Sequence, residues 1–224
     1  MSSSSSVDNS QKQQQLNFAH RFIAATKKDA EHTQDLTFLL LHGTGGNEND
    51  LLSLGHQLDS KAALLSPRGK VLEHGMIPRF FRRLAEGVFD IEDLKFRTNE
   101  LADFIKKAST VYDFNPRNVM AVGYSNGANI AASVLLLRPE TLSGAVLFRA
   151  MEPLVPNRLP NLSGKRVFMS SGLYDSIATK QEAEALYNLL KRAGTNVILQ
   201  WQDAGHELIE EDIQAARQWL ERTR

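Results

Sequence analysis

The chain contains no cysteine. That absence removes a disulfide framework, a thiolate zinc site and a cysteine nucleophile together. Charge of one sign is also missing in excess. Lys+Arg and Asp+Glu stand at 26 each, so no global field draws the protein to nucleic acid or to an anionic membrane. No apolar run approaches the roughly 20 residues that span a bilayer. The first residues lack the basic segment and apolar core of a secretory leader, and Ser2 stands where a myristoylation signal needs glycine. The expectation is a cytoplasmic protein acting on a small molecule, with no membrane span.

Residues 1–15 are rich in Ser and Gln and have almost nothing to bury, so they are expected to form a disordered tail. The remainder, 16–224, is long enough for one domain built on a sheet covered on both faces. Its opening segment, 16–23, alternates as an edge strand does. Leu36-Thr37-Phe38-Leu39-Leu40-Leu41 is a continuous apolar run, the pattern of a parallel strand with helices on either side. Leucines at 51, 52, 54 and 58 suggest a short helix, and 62–66 another strand ended by Pro67.

Leu94, Leu101, Phe104, Ile105, Ala108 and Tyr112 recur near the helical period and predict a long helix over 90–114, stopped by Asn115-Pro116. Further strands are expected at 144–148, 166–170 and 196–201. Thr179 with Glu182 forms a capping box for a helix closed by Gly194, and Ile209, Ile213, Ala216 and Leu220 mark a final helix. Such alternation predicts an α/β fold: a mostly parallel central sheet of about seven strands with helices on both faces. In such sheets ligands bind beyond the carboxyl ends of the strands.

One stretch carries chemistry. The apolar run 119–122 leads into Gly123-Tyr124-Ser125-Asn126-Gly127, and a helical pattern follows at once. Glycine two residues to either side lets strand and helix approach closely while the serine sits on a strained turn, its hydroxyl pushed clear of the sheet. This is the nucleophile elbow of α/β-hydrolases. The bare five-residue pattern arises by chance in about one chain of this length in ten, so its context decides.

A serine hydroxyl needs a base. His206 follows the last predicted strand in Asp203-Ala204-Gly205-His206, at the same sheet edge. His20 falls in a strand, His32 in a connection, His56 in a helix and His74 in a loop, so none competes. The imidazole in turn needs a carboxylate to hold its tautomer. Asp175, just past the strand at 166–170, gives the order Ser125, Asp175, His206 that α/β-hydrolases use. Asp203 is the rival, although it shares the histidine's loop and needs a sharp reversal to reach the other ring nitrogen. An oxyanion requires donors as well. The backbone N–H of Asn126, at a helix N-terminus, is one candidate. The second is the N–H of Thr44, in His42-Gly43-Thr44-Gly45-Gly46, where His42 is expected to pin the loop.

Together, Leu41-His42-Gly43-Thr44-Gly45, the elbow and Ala204-Gly205-His206 resemble the phospholipase/carboxylesterase family of small α/β-hydrolases, which includes acyl-protein thioesterases. Pro78-Arg79-Phe80-Phe81-Arg82-Arg83-Leu84 resembles more closely a bacterial subset of carboxylesterases and quinone-stress hydrolases. The resemblance implies an α/β-hydrolase fold without a large cap domain, and an acyl-enzyme route on Ser125 with Asp175 and His206. It implies an oxyanion hole at Thr44 and Asn126, no cofactor or metal, and a homodimer. Asn126 replaces the glutamine usual in the thioesterases, so long-chain acyl specificity does not carry over. Dienelactone hydrolases share the fold but use a cysteine, and Ser125 argues against that activity.

The segment 70–89 is the candidate for partial cover. Phe80, Phe81, Phe89 and Met151 are expected either to line an apolar substrate slot or to pack beneath a loop. Arg79, Arg82, Arg83 and Arg149 either meet an anionic substrate group or are solvated or paired with the nearby acids Glu73 and Glu86. The leading expectation is a serine carboxylesterase for small or medium acyl esters. An acyl thioesterase or lysophospholipase is the nearest alternative, and a non-catalytic sensor of phenolic or quinone ligands is an alternative of another class.

Overall fold

The computed structural model describes residues 16–26 and 36–223. The expected tail at 1–15 and the connection holding His32 lie outside the described residues. From the amino end the elements are β1 (His20–Ile23), β2 (Thr37–Leu41), α1 (Leu52–Leu58) and β3 (Ala63–Pro67). Four short strands follow: β4 (Val71–Glu73), β5 (Ile77–Arg79), β6 (Arg83–Ala85) and β7 (Val88–Phe89). Then come α2 (Ile91–Tyr112), β8 (Val119–Tyr124), α3 (Asn126–Leu137) and β9 (Gly144–Phe148). The chain continues through β10 (Arg166–Gly172), α4 (Lys180–Arg192), β11 (Asn196–Gln202) and α5 (Glu210–Arg222).

Seven strands form one sheet in the order β1-β3-β2-β8-β9-β10-β11. Only β1 runs antiparallel to its neighbour; the other pairs are parallel. Side chains alternate across a strand, and β2 shows why its whole sequence is apolar. Phe38 and Leu40 enter a core with Leu54 and Leu58 of α1 and Trp219 and Leu220 of α5. Leu39 and Leu41 enter the opposite core, with Leu101 and Ile105 of α2, Leu135 of α3 and Leu186 of α4. Each such side chain contributes roughly 1.5–3 kcal/mol by leaving water, so both faces of the sheet stay covered.

Local signals set the helix ends. Asp90 caps α2 by accepting the Asp93 N–H at 3.1 Å, and Asp113 ends it in the left-handed conformation at φ 56°. Thr179 and Glu182 form the capping box of α4. No described helix is long and apolar enough to cross a membrane.

Three details depart from the expectations. The first strand covers His20–Ile23 rather than all of 16–23. Its partner β3 ends opposite His20 at Pro67, a proline with no N–H to extend the ladder; one further bond, Arg68 N–H to Ala19 O at 2.7 Å, completes it. Leu16 and Phe18 are buried all the same, Phe18 with its ring centroid 4.7 Å from that of Phe104. Secondly, β10 and β11 run on to Gly172 and Gln202. Thirdly, the segment 70–89 holds two small hairpins, β4–β5 and β6–β7, whose turns use positive φ at His74, Gly75 and Gly87. Strands of two or three residues leave no periodicity to detect. The connection between β9 and β10 carries no helix or strand, so no cap domain is inserted there.

Candidate active site

The centre of the site is the turn from β8 into α3. Ser125 has φ 52° and ψ −115°, a conformation that costs a non-glycine residue about 1–3 kcal/mol and persists because its surroundings hold it. Its N–H donates to Phe148 O at 2.9 Å, and its carbonyl accepts the Asn129 N–H at 2.9 Å. The flanking glycines are required by contact rather than by flexibility. A Cβ on Gly127 would lie 1.9 Å from Leu41 O, and one on Gly123 would lie 2.6 Å from Gly127 O. The helix therefore presses directly against β2, and the serine is lifted above the sheet edge.

Two neighbouring loops bring the remaining groups to that edge. The loop after β10 is tied to the loop after β11 by Leu173 N–H to Gln202 O at 2.9 Å and Tyr174 N–H to Ala204 O at 3.0 Å. They approach so closely that a Cβ on Gly172 would stand 2.2 Å from Gly205 O. Asp175 and His206 meet as a result. Asp175 Oδ2 lies 2.8 Å from His206 Nδ1, and His206 Nε2 lies 2.9 Å from Ser125 Oγ. The other carboxylate oxygen, Oδ1, accepts the N–H groups of Ile177 at 2.8 Å and Ala178 at 2.9 Å. A carboxylate only accepts, so Nδ1 carries the ring hydrogen and Nε2 offers its lone pair to the serine hydroxyl. Asp203 is exposed and forms no part of this chain of bonds.

On the other side of the serine, the loop after β2 is pinned by His42. The ring is buried; Nδ1–H donates to Gly43 O at 2.6 Å, and Nε2 accepts the Gly69 N–H at 3.0 Å. Burial pushes the pKa of this imidazole down, and the bond that Nε2 accepts from Gly69 needs the neutral form. Thr44 Oγ1 accepts a bond from Arg79 Nη1 at 2.7 Å, and Gly45 N–H donates to Pro78 O at 2.9 Å. Asn126 occupies the first position of α3, where a backbone N–H has no intrahelical acceptor. Its side-chain Oδ1 accepts the Phe80 N–H at 2.7 Å.

These groups surround a cavity of about 360 Å³, whose walls include Ser125, His206, Thr44, Asn126, Phe89 and Met151. Phe80 and Phe81 do not line it. Both belong to the core, 2% and 0% exposed, Phe80 against the His42 ring and Phe81 edge-on to Phe89 at 5.1 Å. Of the four arginines, Arg83 binds Glu73 at 2.7 and 3.0 Å, Arg82 pairs with Asp90 at 3.0 Å, and Arg149 is fully buried against Asp212. Glu73 is thus a partner as expected, while Asp90 and Asp212 stand where Glu86 was expected. Arg79, Arg83 and Arg149 all border the cavity, and of these only Arg79 has no carboxylate closer than 4.0 Å, its distance from Glu73.

Two contributors escaped the sequence reading. The Tyr124 hydroxyl donates to His206 O at 3.0 Å, and burial raises its pKa, which keeps it a donor. Asn129 Oδ1 accepts the Met151 N–H at 3.0 Å and fixes that wall. Asn129 lies one helical turn beyond Ser125 among small apolar residues, and a carboxamide at that spacing is the signal that could have been read.

A family model described as the dienelactone hydrolase family matches residues 83–221. The chain belongs to the dienelactone hydrolase family. The chain is 52% identical over 187 residues to MhqD of Bacillus subtilis (strain 168), a protein named as a hydrolase, covering 84% of this chain and 93% of that one. The crystal structure of the Bacillus cereus carboxylesterase superposes with a TM-score of 0.91 at 46% identity, over 96% of this chain and 99% of that chain. A carboxylesterase from Mesorhizobium loti gives a TM-score of 0.82 at 30% identity, over 92% and 95% of the two chains. The α/β-hydrolase fold and a hydrolase of the carboxylesterase kind follow. The residue at the elbow of this member is a serine.

Proposed function

We propose that the protein is a serine carboxylesterase in which Ser125 is the nucleophile, His206 the general base and acid, and Asp175 the carboxylate that orients the imidazole. The observation that carries this reading is the unbroken chain of bonds from Asp175 Oδ2 through His206 to Ser125 Oγ, at 2.8 and 2.9 Å. Ser125 Oγ attacks the ester carbonyl carbon while its proton passes to His206 Nε2. The imidazolium that forms is balanced by the carboxylate of Asp175, whose two oxygens accept from two backbone N–H groups and from the ring N–H.

The carbonyl oxygen becomes an oxyanion, and the N–H groups of Thr44 and Asn126 are its donors; one such donor is typically worth about 2.7–4 kcal/mol. As the tetrahedral species collapses, His206 returns the proton to the leaving alkoxide and the alcohol departs. Water then attacks the acyl-enzyme carbonyl while His206 takes its proton; as the Ser125–acyl bond breaks, His206 hands that proton to Ser125 Oγ and the carboxylic acid leaves, restoring the starting state. Phe89 and Met151 provide apolar wall for the acyl or alcohol part, and about 360 Å³ fits small or medium esters.

The test is hydrolysis of p-nitrophenyl acetate together with labelling by a fluorophosphonate probe. Ser125→Ala is expected to abolish both while leaving the thermal transition in place. Turnover that survives the substitution would sink the proposal, and saturable binding of aromatic ligands without any turnover would turn it toward a sensor.

A further inference from the structure

The His206 loop is held by a buried ion pair that takes no part in the proton transfer itself. Arg149 follows β9 directly, adopts φ 54°, and sends its guanidinium beneath the loop after β11. Nε donates to Gly205 O at 2.9 Å and Nη2 to Glu207 O at 2.7 Å, the carbonyls on either side of His206. The carbonyl between them, that of His206, accepts from Tyr124 as described. Asp212, in the first turn of α5, closes the grip: its Oδ1 and Oδ2 accept from Arg149 Nη1 and Nη2 at 2.8 and 2.7 Å. Neither side chain of the pair has any exposed surface. Asp212 also accepts from the Ser170 hydroxyl and, at 3.0 Å, from the Ile209 N–H.

We propose that Arg149, charge-balanced by Asp212, is the positioning residue of His206, fixing the backbone on both sides of it so that the imidazole reaches Ser125 and Asp175 at once. This rests on the reading of His206 as the general base. The physical case is a comparison of alternatives. A buried pair is expensive to desolvate, and packed apolar residues of the same volume are often as stable. Stability is therefore a poor reason for placing one here, whereas a planar fork that can grip two carbonyls and a carboxylate is a property of arginine alone. A displacement of about 1 Å at a catalytic group costs up to about 10²-fold in rate, so a loop anchored at three successive carbonyls has a direct kinetic value.

The test separates holding the fold from holding the histidine. Arg149→Lys keeps the charge but cannot span Gly205, Glu207 and Asp212 together. The paired replacement Arg149→Met with Asp212→Leu removes both charges without leaving either unpaired. Both are assayed with p-nitrophenyl acetate below their own melting temperatures. The expected result is a fall in kcat of about 10- to 100-fold with KM within about twofold, and loss of the low-field proton signal of the His206 Nδ1–H to Asp175 bond. In the paired variant the melting temperature returns close to that of the unaltered protein while kcat stays low. Recovery of kcat along with stability would show the pair to be purely structural and overturn the proposal.

Should neither variant fold, Tyr124→Phe decides, since it removes one hydroxyl and no charge. A several-fold drop in kcat at constant KM supports the grip on the loop, and unchanged kcat overturns it. Ser125→Ala in parallel keeps the two ideas apart. If the unaltered protein shows no Ser125-dependent turnover, the enzyme reading itself has failed. If it does and Arg149→Lys matches its kcat, only the positioning role has.

Discussion

Replacing Asp175 by asparagine changes one atom and should nearly silence the protein. Oδ1 accepts from two backbone N–H groups, those of Ile177 at 2.8 Å and Ala178 at 2.9 Å. An amide nitrogen in that place would face two donors and leave two backbone N–H groups unsatisfied, at about 1–3 kcal/mol each. The asparagine oxygen therefore keeps the Oδ1 position, and Nδ2 takes the place of Oδ2, 2.8 Å from His206 Nδ1. Donor now meets donor unless the imidazole moves its hydrogen to Nε2. That tautomer points a hydrogen at Ser125 Oγ and has no lone pair to receive the serine proton. A wrong-tautomer histidine lowers kcat by about 10⁴-fold, roughly 5 kcal/mol of barrier. The fold should hardly notice, because both backbone bonds survive. The assay is p-nitrophenyl acetate hydrolysis at pH 7.5, with circular dichroism to confirm an unchanged melting temperature. Asp203→Asn, at an exposed position of the neighbouring loop, is the control and should stay within about twofold of the unaltered protein. A folded Asp175→Asn variant retaining more than a tenth of the activity would refute the argument.

Gly127→Ala should cost at least about 3 kcal/mol, beyond ordinary overpacking, because its methyl would stand 1.9 Å from a main-chain oxygen that cannot move away; urea unfolding measures it. Phe81→Ala should destabilise by about 3–5 kcal/mol as a core deletion, whereas Phe89→Ala should mainly change KM across a series of acyl chain lengths. The folded-state pKa of His42 lies below its unfolded value of about 6.5, so only the unfolded chain takes up this proton readily as the pH falls through that value. The stability contributed by neutral His42 is thus complete above about pH 6.5 and is lost as the pH drops toward the folded pKa. Urea midpoints at pH 7.5 and 5.5 should differ in the unaltered protein and differ less in His42→Asn.

What could be read from the sequence was whatever leaves a local trace. The buried strands announce themselves because a sheet covered on both faces needs an uninterrupted apolar run, as 36–41 shows. Ser125, Asp175 and His206 were nameable because each follows a strand, and parallel strands deliver their following loops to one edge. The pair Arg149–Asp212 leaves no such trace: its members lie 63 positions apart, and the arginine sits beside no motif. The aromatic block misled for a related reason. Phe80 and Phe89 look equivalent on paper, yet the Phe80 N–H is committed to Asn126 Oδ1, which draws its ring inward, while Phe89 sits in a two-residue strand at the cavity wall. The hairpins in 70–89 are set by three positive-φ turn residues rather than by any pattern of hydrophobicity.

The meeting of the loops after β10 and β11 has a consequence for synthesis. The ribosome delivers the proposed nucleophile 81 positions ahead of its proposed base. Until the last strand has docked against the penultimate one, His206 cannot stand within reach of Ser125. On the proposed mechanism, a chain still being made carries an inert serine that becomes reactive only when the final pieces close.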